Sequence, residues 1–340
     1  MIDLLVAGGG PIGLATALYA QAAGLEVRVC EPRAGPIGKA CGEGLMPGAV
    51  KALADLGITP AGRPFRGIRY TDGVRSAEAV FSSGAGRGVA RIDLQQALRR
   101  QVIEAGIEIT ARTVRDIEQD ERSVRAAGLT SRYLVAADGL HSAIRRSCGL
   151  REPASRPGPS RWGLRQHFAV QPWSDLVEVH WSVRSEAYIT PLADRLLNVA
   201  LLTRSRAPFD EQLRAFPELA ERVRGAEVDT VRGAGPLRQR TSGRVAGRVL
   251  LVGDAAGYVD ALTGEGIAVG LACARQLIEC LRVGQPGRYE RRWQQATRRY
   301  RTLTEALLWA SGRPWPRRAI VPLSAAVPPL FSAVVRQLSR

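Results

Sequence analysis

The sequence predicts an α/β protein in which a domain of strands and helices carries an inserted, mainly antiparallel sheet and ends in a C-terminal helical segment. Three observations lead to this fold class. A strand, a helix and a second strand follow one another within the first 32 residues. Alternating strand patterns then fill residues 155–240, and a buried strand resumes the first pattern near residue 249.

The first domain begins with an apolar run at residues 2–7 (IDLLVA), which is typical of a buried strand. Glycines follow, and LATALYAQAAG then places apolar residues at helical spacing until Gly24 ends the helix. LEVRVCEP is a second strand that stops at Pro32. Later in the same domain we expect a helix at 92–105 and a buried strand at 133–138.

The inserted sheet is indicated by the segments WGLRQHFAV, LVEVHWSV and LLNVALLT, which alternate in the manner of half-buried strands. Residues 68–81 contain strand-like segments around Asp72-Gly73, a hairpin signal. After the insertion we expect a helix from about Gly266 to Leu281 and a long polar helix at roughly 287–310.

The charge of the chain does not predict a nucleic-acid partner. The 340 residues carry a formal net charge of +16, but Lys39 and Lys51 are the only lysines and the arginines are scattered along the chain. No zinc-finger spacing or basic stripe with interleaved aromatic residues accompanies them. With 45% hydrophobic and 24% charged residues, the chain should be globular.

The cysteines and the termini predict a cytoplasmic protein. Five cysteines are widely separated and form no CxxC pair, which favours a reducing compartment. The N-terminus lacks the pattern of a secretory signal, and no apolar run reaches transmembrane length. The apolar stretch Ala319–Val335 is interrupted by prolines and bracketed by arginines. It would either make peripheral contact with a membrane or pack as a cap over an apolar pocket.

A GxGxxG motif lies between the first strand and the first helix, the context that a dinucleotide-binding fingerprint requires. Glycines there permit a tight turn, close approach of a pyrophosphate and close packing of the helix on the strand. The predicted phosphate-binding residues are Gly8, Gly10, Pro11, Ile12 and Gly13. Glu31 ends the second strand, 18 residues after the motif, where a carboxylate can accept hydrogen bonds from ribose hydroxyls.

Two further motifs follow in order. Residues 135–139 (VAADG) resemble the Asp-Gly motif of the flavoprotein aromatic hydroxylases, and residues 253–257 (GDAAG) resemble their Gly-Asp motif. The resemblance implies that Asp254 binds the ribityl part of FAD and that Asp138 and Gly139 support flavin and pyridine-nucleotide binding. It also implies that Arg91, before a helix, approaches the FAD.

Residues 258–270 (YVDALTGEGIAVG) resemble the geranylgeranyl reductase branch of the same superfamily. The amides of Gly264, Gly266 and Ile267 would lie at a helix N-terminus and stabilise negative charge on the reduced flavin. Residues 39–44 (KACGEG) resemble that branch's cysteine-containing loop near the isoalloxazine, although its full cysteine pattern is missing. Cys41 is therefore a candidate residue of the flavin site.

The remaining motif classes give fewer candidates. The three histidines are too far apart in sequence to indicate a metal site, and we expect none. His180 and Tyr188 lie in the inserted sheet, where they would line a substrate pocket. No GxSxG, HExxH or P-loop motif is present, which excludes the usual serine hydrolases, zinc proteases and NTPases.

The resemblance covers about residues 1–285 and implies three regions. The Rossmann-like FAD-binding domain would be discontinuous, at 1–66, 86–154 and 241–285. The substrate domain would comprise 67–85 and 155–240, and the C-terminal helical segment 286–340.

On this basis we expect an FAD-dependent oxidoreductase with NAD(P)H as a transient electron donor. The first expectation is a monooxygenase that uses O2 to hydroxylate an apolar or phenolic small molecule in secondary metabolism. The alternative is an ene-reductase that acts on isoprenoid chains, in keeping with the geranylgeranyl reductase resemblance. A second alternative is a non-catalytic basic flavoprotein that binds nucleic acid. No catalytic acid or base is evident from the sequence.

Overall fold

The computed structural model describes residues 1–152 and 160–338, so the predicted domain boundary at 154/155 lies outside the described residues. The strands are β1 (Ile2–Ala7), β2 (Val27–Cys30), β3 (Gly44–Leu45), β4 (Arg63–Phe65), β5 (Gly67–Thr71), β6 (Ser76–Val80), β7 (Gly86–Gly88), β8 (Glu108–Thr110), β9 (Glu118–Gln119), β10 (Val124–Ala126), β11 (Leu129–Ala136), β12 (Trp162–Phe168), β13 (Val177–Trp181), β14 (Glu186–Ala193), β15 (Leu196–Thr203), β16 (Arg232–Ala234), β17 (Val245–Ala246) and β18 (Val249–Leu251). The α-helices are α1 (Pro11–Ala22), α2 (Pro47–Ala54), α3 (Arg91–Glu104), α4 (Ala143–Ser147), α5 (Phe209–Leu213), α6 (Pro217–Arg222), α7 (Gly266–Arg282), α8 (Tyr289–Ser311), α9 (Pro314–Ala326) and α10 (Pro328–Leu338). Two short 3-10 helices occupy Gly253–Ala256 and Pro286–Arg288.

The first sheet is built around β1. This strand pairs in parallel with β2 and β11, β2 pairs in parallel with β8, and β11 does so with β18. The strand order is β17-β18-β11-β1-β2-β8, with β10 and β9 attached in antiparallel orientation beside β11. Leu4, Leu5 and Val6 are fully buried, as both faces of a central parallel strand are covered. Helix α1 packs against α3 and α7 next to this sheet.

The second sheet has the order β16-β12-β15-β14-β13-β5-β6. Its pairings are antiparallel except that β13 runs parallel to β5. Strands β5 and β6 come from the segment predicted as a hairpin, and Asp72 Oδ1 accepts hydrogen bonds from the Val74 and Arg75 amides in the turn. The predicted α/β fold class, with an inserted and mainly antiparallel sheet, is confirmed. The exact division into domains stays a prediction.

A small third sheet, β3-β7-β4, is antiparallel. It begins immediately after residues 39–44, the predicted flavin loop. Strand β7 also packs against β14 of the second sheet. The flavin loop is therefore anchored beside both large sheets.

The C-terminal residues form three helices. The polar helix α8 packs on α7, whereas α9 and α10 pack on β6 at the edge of the second sheet. The Phe331 ring lies 4.9 Å from the Tyr70 ring, centroid to centroid. No single helix in the described parts of the chain is long and apolar enough to cross a membrane. Together α9 and α10 pass that test, but a bend of 104° separates them.

A buried ion network joins these parts of the molecule. Glu186 of β14 accepts hydrogen bonds from Arg161 Nη2 at 2.7 Å and from Arg317 Nη1 of α9 at 2.6 Å. Arg161 Nε lies 3.0 Å from Asp260 Oδ2, in the loop before α7. Because all four side chains are buried, this network fixes α9 and that loop against the second sheet.

Candidate active site

Glycines shape the turn between β1 and α1. Gly8 has φ of +117°, and a Cβ there would lie 2.5 Å from the Ala137 carbonyl oxygen. A Cβ on Gly13 would collide with the Gly8 carbonyl oxygen, so α1 approaches the turn more closely than any other residue type allows. Gly10 has open space instead, with Arg91 Nη2 as the nearest atom at 3.9 Å. The turn therefore leaves room for a phosphate at Gly10.

The first turn of α1 is suited to an anion. Gly10 is the N-cap residue without a side-chain cap, and Pro11 occupies the first helical position. The first amides of a helix have no intrahelical acceptor and carry the positive end of the helix dipole. Pro11 and Ile12 both line the cavity described below. The amides that lack a cap are thus available to a pyrophosphate.

Glu31 lies at the end of β2, beside this turn. Its carboxylate accepts hydrogen bonds from the Gly9 amide at 2.7 Å and from the amide, Nε and Nη2 of Arg33. Burial alone would raise the pKa of Glu31, but the bonds from Arg33 and Gly9 outweigh burial and hold the pKa below its ordinary value. Because these four donors occupy the acceptor positions of the carboxylate, a ribose hydroxyl must displace part of the Arg33 side chain.

Two cationic side chains, Arg91 and Lys39, line the cavity described below. Arg91 is buried at the start of α3, and its Nη1 has no hydrogen-bond partner among the residues described. Lys39 lies close to Gly139, where a Cβ would come within 2.7 Å of the Lys39 ammonium nitrogen. Burial lowers the pKa of Lys39, and the neighbouring charge of Arg91 lowers it further. A buried guanidinium nitrogen without a partner fits a missing anion such as the FAD pyrophosphate.

The Asp-Gly and Gly-Asp motifs meet at a buried arginine that the sequence analysis did not select. Arg145 donates hydrogen bonds to the carbonyl oxygens of Leu140, Asp254 and Ala255. Burial raises the pKa of Asp254, and Lys39, Arg91 and Arg145 offset this only in part. Asp138 Oδ2 accepts the Ile144 amide, while its Oδ1 is buried without a partner in the described structure. Arg145 follows the Asp-Gly motif by only six residues, but its partners Asp254 and Ala255 are distant in sequence.

The start of α7 also faces the cavity. Gly264 has φ of +70°, and Gly264, Gly266 and Ile267 line the cavity. Glu265 is the N-cap residue and makes no side-chain cap hydrogen bond. The free amides of this helix start are therefore placed to stabilise negative charge next to them.

The cavity has a volume of about 250 Å³ and two chemically different sides. Cofactor-binding candidates from both ends of the chain form the polar side. The other side is apolar and comes from the second sheet and the segments packed on it. Its members include Ile68, Val177, Val179, Leu202, Leu237 and Leu262. All the charged residues of the cavity lining that the structure describes belong to the polar side.

Side chains of the second sheet form hydrogen bonds with the flavin loop (residues 39–44). Asn198 donates to the Cys41 carbonyl oxygen at 3.0 Å, and Thr190 donates to the Gly42 carbonyl oxygen at 2.7 Å. Glu43, with φ of +58°, accepts the Arg91 amide and lies 2.6 Å from His167 Nε2. Glu43 and His167 were missed by sequence reasoning, since 124 residues separate them.

Cys41 lines the cavity. Burial raises the pKa of its thiol above the ordinary cysteine value, despite the charge of Arg91 nearby. Its Sγ accepts a hydrogen bond from the Glu43 amide at 3.4 Å. The thiol is thus protonated at neutral pH.

Of the two predicted pocket residues in the second sheet, only Tyr188 lines the cavity. Its hydroxyl donates to the Leu262 carbonyl oxygen at 2.7 Å. His180 does not line the cavity and pairs instead with Glu178 at 3.0 Å. Strand alternation explains this, because Val177 and Val179 of β13 point into the cavity, so Glu178 and His180 point to the opposite face. No group of three or more potential metal ligands is found in residues 1–152 and 160–338.

This fold, with its candidate cofactor-binding residues, is that of an FAD-dependent oxidoreductase. Residues 1–285 match the family described as FAD binding domain, and the chain belongs to that family. FAD is therefore its cofactor, and the residues of the polar side fit it.

Three curated relatives show the range of this family. The menaquinone reductase of Mycobacterium tuberculosis is 28% identical over 316 residues, covering 82% of this chain and 76% of its own. The digeranylgeranylglycerophospholipid reductase 1 of Methanothermobacter thermautotrophicus is 28% identical, covering 79% and 74%. The protoasukamycin 4-monooxygenase of Streptomyces nodosus subsp. asukaensis is 30% identical, covering 85% and 82%. A solved p-nitrophenol 4-monooxygenase from Pseudomonas putida shares the fold, with a TM-score of 0.82, 20% identity and coverage of 100% and 98%.

Proposed function

We propose that this enzyme reduces a carbon–carbon double bond in an apolar, isoprenoid-like chain. The observation that carries the proposal is the apolar side of the cavity, which offers no charged side chain to a substrate. A hydrocarbon chain next to the flavin needs only shape and dispersion contacts. This reverses the order in which the sequence placed hydroxylation and alkene reduction.

The similarity to reductases supports the proposal. A menaquinone reductase and a digeranylgeranylglycerophospholipid reductase match this chain over most of their length. Both names describe reductases, and the second names a lipid with geranylgeranyl chains. The residues of the CGEG and LTGEGI segments, which resemble this branch, line the cavity together, with the exception of Glu265.

Alkene reduction adds one hydride and one proton across the double bond. FAD, when bound and reduced by NAD(P)H, supplies the hydride. The Cys41 thiol is the proton donor that we assign from this chain, since it lines the cavity and burial raises its pKa. The S–H bond breaks as the new C–H bond forms, and the thiolate then regains a proton from water. The neighbouring Arg91 charge stabilises that thiolate.

Hydroxylation is a second candidate because aromatic side chains also line the cavity. Tyr70 and Tyr188 both line the cavity, and a flat phenolic or apolar ring could stack between such side chains. The 30% identical relative is a monooxygenase from a Streptomyces species. In that case the substrates would be O2, NAD(P)H and a small molecule of secondary metabolism.

Product analysis separates the two candidates. The holoenzyme would be photoreduced without oxygen and incubated with geranylgeraniol, and the products identified by mass spectrometry. We expect a product that has gained two hydrogens. No product without oxygen, together with a product that has gained one oxygen atom in air, would establish hydroxylation instead.

The role of Cys41 is tested in the same assay. We expect Cys41→Ser to slow alkene reduction by roughly 10²-fold, because a serine hydroxyl is a much weaker acid than a thiol. Reduction of the bound FAD by NAD(P)H should not change. Cys148→Ser is the matched control, since Cys148 is also partly buried but packs against the core of the first sheet. Equal rates for the two variants would remove Cys41 from the reaction.

A further inference from the structure

Large apolar side chains are exposed along the C-terminal helices. We call them the outer patch: Trp309, Trp315, Leu323, Val327, Leu330 and Val334. We propose that the outer patch docks the protein on the surface of an anionic phospholipid bilayer. This inference goes beyond the proposed reaction, and the docking itself does not depend on it.

Helix α10 has one broad apolar side, and the protein covers only part of it. Phe331, Val335 and Leu338 point inward and are buried, and Leu338 lines the substrate cavity. Leu330 and Val334 point outward, and Leu330 keeps 60% of its surface exposed. The apolar side of an amphipathic helix normally packs against other apolar groups. Here the protein covers only the inner part of that side.

Helix α9 and the end of α8 carry further exposed apolar residues. Trp315, in the first turn of α9, is 85% exposed, and Trp309 near the end of α8 is 55% exposed. Exposed apolar residues are common singly, but six of them between residues 309 and 334 form a group that needs a partner. Tryptophan is enriched where a protein meets the interface between lipid and water.

The charge around the outer patch selects an anionic partner. Residues 306–338 contain four arginines and no aspartate or glutamate. Arg317 is taken up by the buried network with Glu186, whereas Arg313 and Arg318 are exposed. The Arg313 guanidinium lies 4.4 Å above the Trp309 ring. Arginine beside tryptophan is suited to phosphate headgroups above an acyl region.

The prolines favour lipid contact at the helix starts. Helix α9 begins at Pro314, and α10 begins at Pro328 and Pro329. Proline has no amide hydrogen, so these positions leave fewer unpaired donors at the exposed starts of both helices. Unpaired donors are costly in an apolar environment. Docking these two helix starts in the headgroup region therefore costs less than it would for other residues.

The position of the outer patch also relates docking to substrate entry, and this step rests on the proposed function. Leu338 of α10 lines the cavity, while Leu330 and Val334 of the same helix face outward. An apolar chain could therefore pass from the bilayer to the cavity along α10 without crossing water.

The test is vesicle co-sedimentation of the holoenzyme. The probes are vesicles of phosphatidylcholine alone and of phosphatidylcholine mixed with phosphatidylglycerol. We expect binding to the mixed vesicles that weakens with salt. The double variant Trp315→Ser/Leu330→Ser should lower the partition coefficient by about tenfold or more. Arg313→Gln should lower it roughly fivefold, and only on the anionic vesicles.

The matched control is Val74→Ser/Val183→Ser, which removes two apolar residues that are 91% and 75% exposed in other turns. This control should bind vesicles as the wild type does, and all variants should retain FAD. The proposal is overturned if the wild type does not bind anionic vesicles, or if the Trp315/Leu330 variant binds them equally well. It is also overturned if light scattering shows a dimer that this variant dissolves while vesicles stay unbound. A protein that docks but reduces no alkene would defeat the proposed reaction and leave the docking intact.

Discussion

The glycines of the first turn act in two different ways. At Gly13 a side chain has no space, because its Cβ would collide with the Gly8 carbonyl oxygen. At Gly10 the backbone is extended, with φ of −73° and ψ of 170°, and a Cβ would meet open space. Gly13 therefore serves the fold, whereas Gly10 leaves space for the cofactor.

Alanine substitutions should separate these roles. We expect Gly13→Ala to destabilise the apoprotein by about 3 kcal/mol, the upper range for overpacking a tight contact. Gly10→Ala should leave the stability of the apoprotein nearly unchanged and weaken FAD binding by about tenfold or more. Urea unfolding of the apoproteins and titration with FAD measure both effects. Equal FAD affinity for Gly10→Ala and the wild type would contradict the assigned phosphate position.

At this scale, sequence reasoning can predict geometry that depends on the local backbone. Gly8 to Gly13 are adjacent in sequence and lie between a strand and a helix, so their spacing alone suggests their geometry. Arg145 was missed because its partner Ala255 is 110 residues away in sequence, and Glu43 and His167 were missed because only the packing of the second sheet on the flavin loop brings them together. The period of β13 could have shown that His180 and Val179 face opposite sides, but not which side carries the cavity.

At the scale of elements, the loop before α7 contains an unusual carboxyl group. Glu265 is buried, and its Oε2 has no hydrogen-bond partner in the described residues. Burial raises the pKa of Glu265 to about 7, and Arg299 of α8, 3.5 Å away, offsets this only in part. The folded loop therefore favours the neutral form of Glu265.

The pH dependence of stability should reveal this group. The pKa of Glu265 is raised on folding, so between the ordinary glutamate pKa and about 7 the folded state binds more protons than the unfolded state. The free energy of unfolding therefore falls as pH rises through this window. We expect a loss of about 3 kcal/mol that Glu265→Gln does not show. Urea unfolding from pH 4.5 to 8 measures it, and parallel curves for the two proteins would contradict the assignment.

The elements themselves were largely predictable, because helix and strand periods are local. The helix expected at 92–105 is α3, and the hairpin expected around Asp72 joins β5 to β6. The C-terminal stretch at 319–335 was harder, since its prolines suggested interruption. Those prolines start α10 and lie inside α9, and α10 contributes Leu338 to the cavity lining.

At the scale of the whole molecule, the network around Glu186 connects three regions. Arg161 and Glu186 belong to the second sheet, Asp260 to the loop before α7, and Arg317 to α9. Breaking a buried pair leaves an uncompensated charge and costs far more than breaking a surface pair. The position of α9 against the second sheet depends on this network.

We expect Glu186→Gln to destabilise the protein by roughly 3 to 5 kcal/mol, since it leaves Arg161 and Arg317 without a shared anion. Limited proteolysis should then cleave the C-terminal helices faster than in the wild type. The matched control is Glu218→Gln, which breaks a surface pair with Arg222 and should cost less than about 1 kcal/mol. Similar losses for both variants would mean that the network does not hold the three regions together.

The central claim is that electrons pass from FAD to an alkene in the apolar cavity. The most direct measurement is the absorbance of bound FAD after the reduced holoenzyme is mixed, without oxygen, with geranylgeraniol in detergent. The account predicts that the absorbance of oxidised FAD returns at a rate that saturates with the chain concentration. A reduced FAD that stays reduced until oxygen is admitted would contradict it.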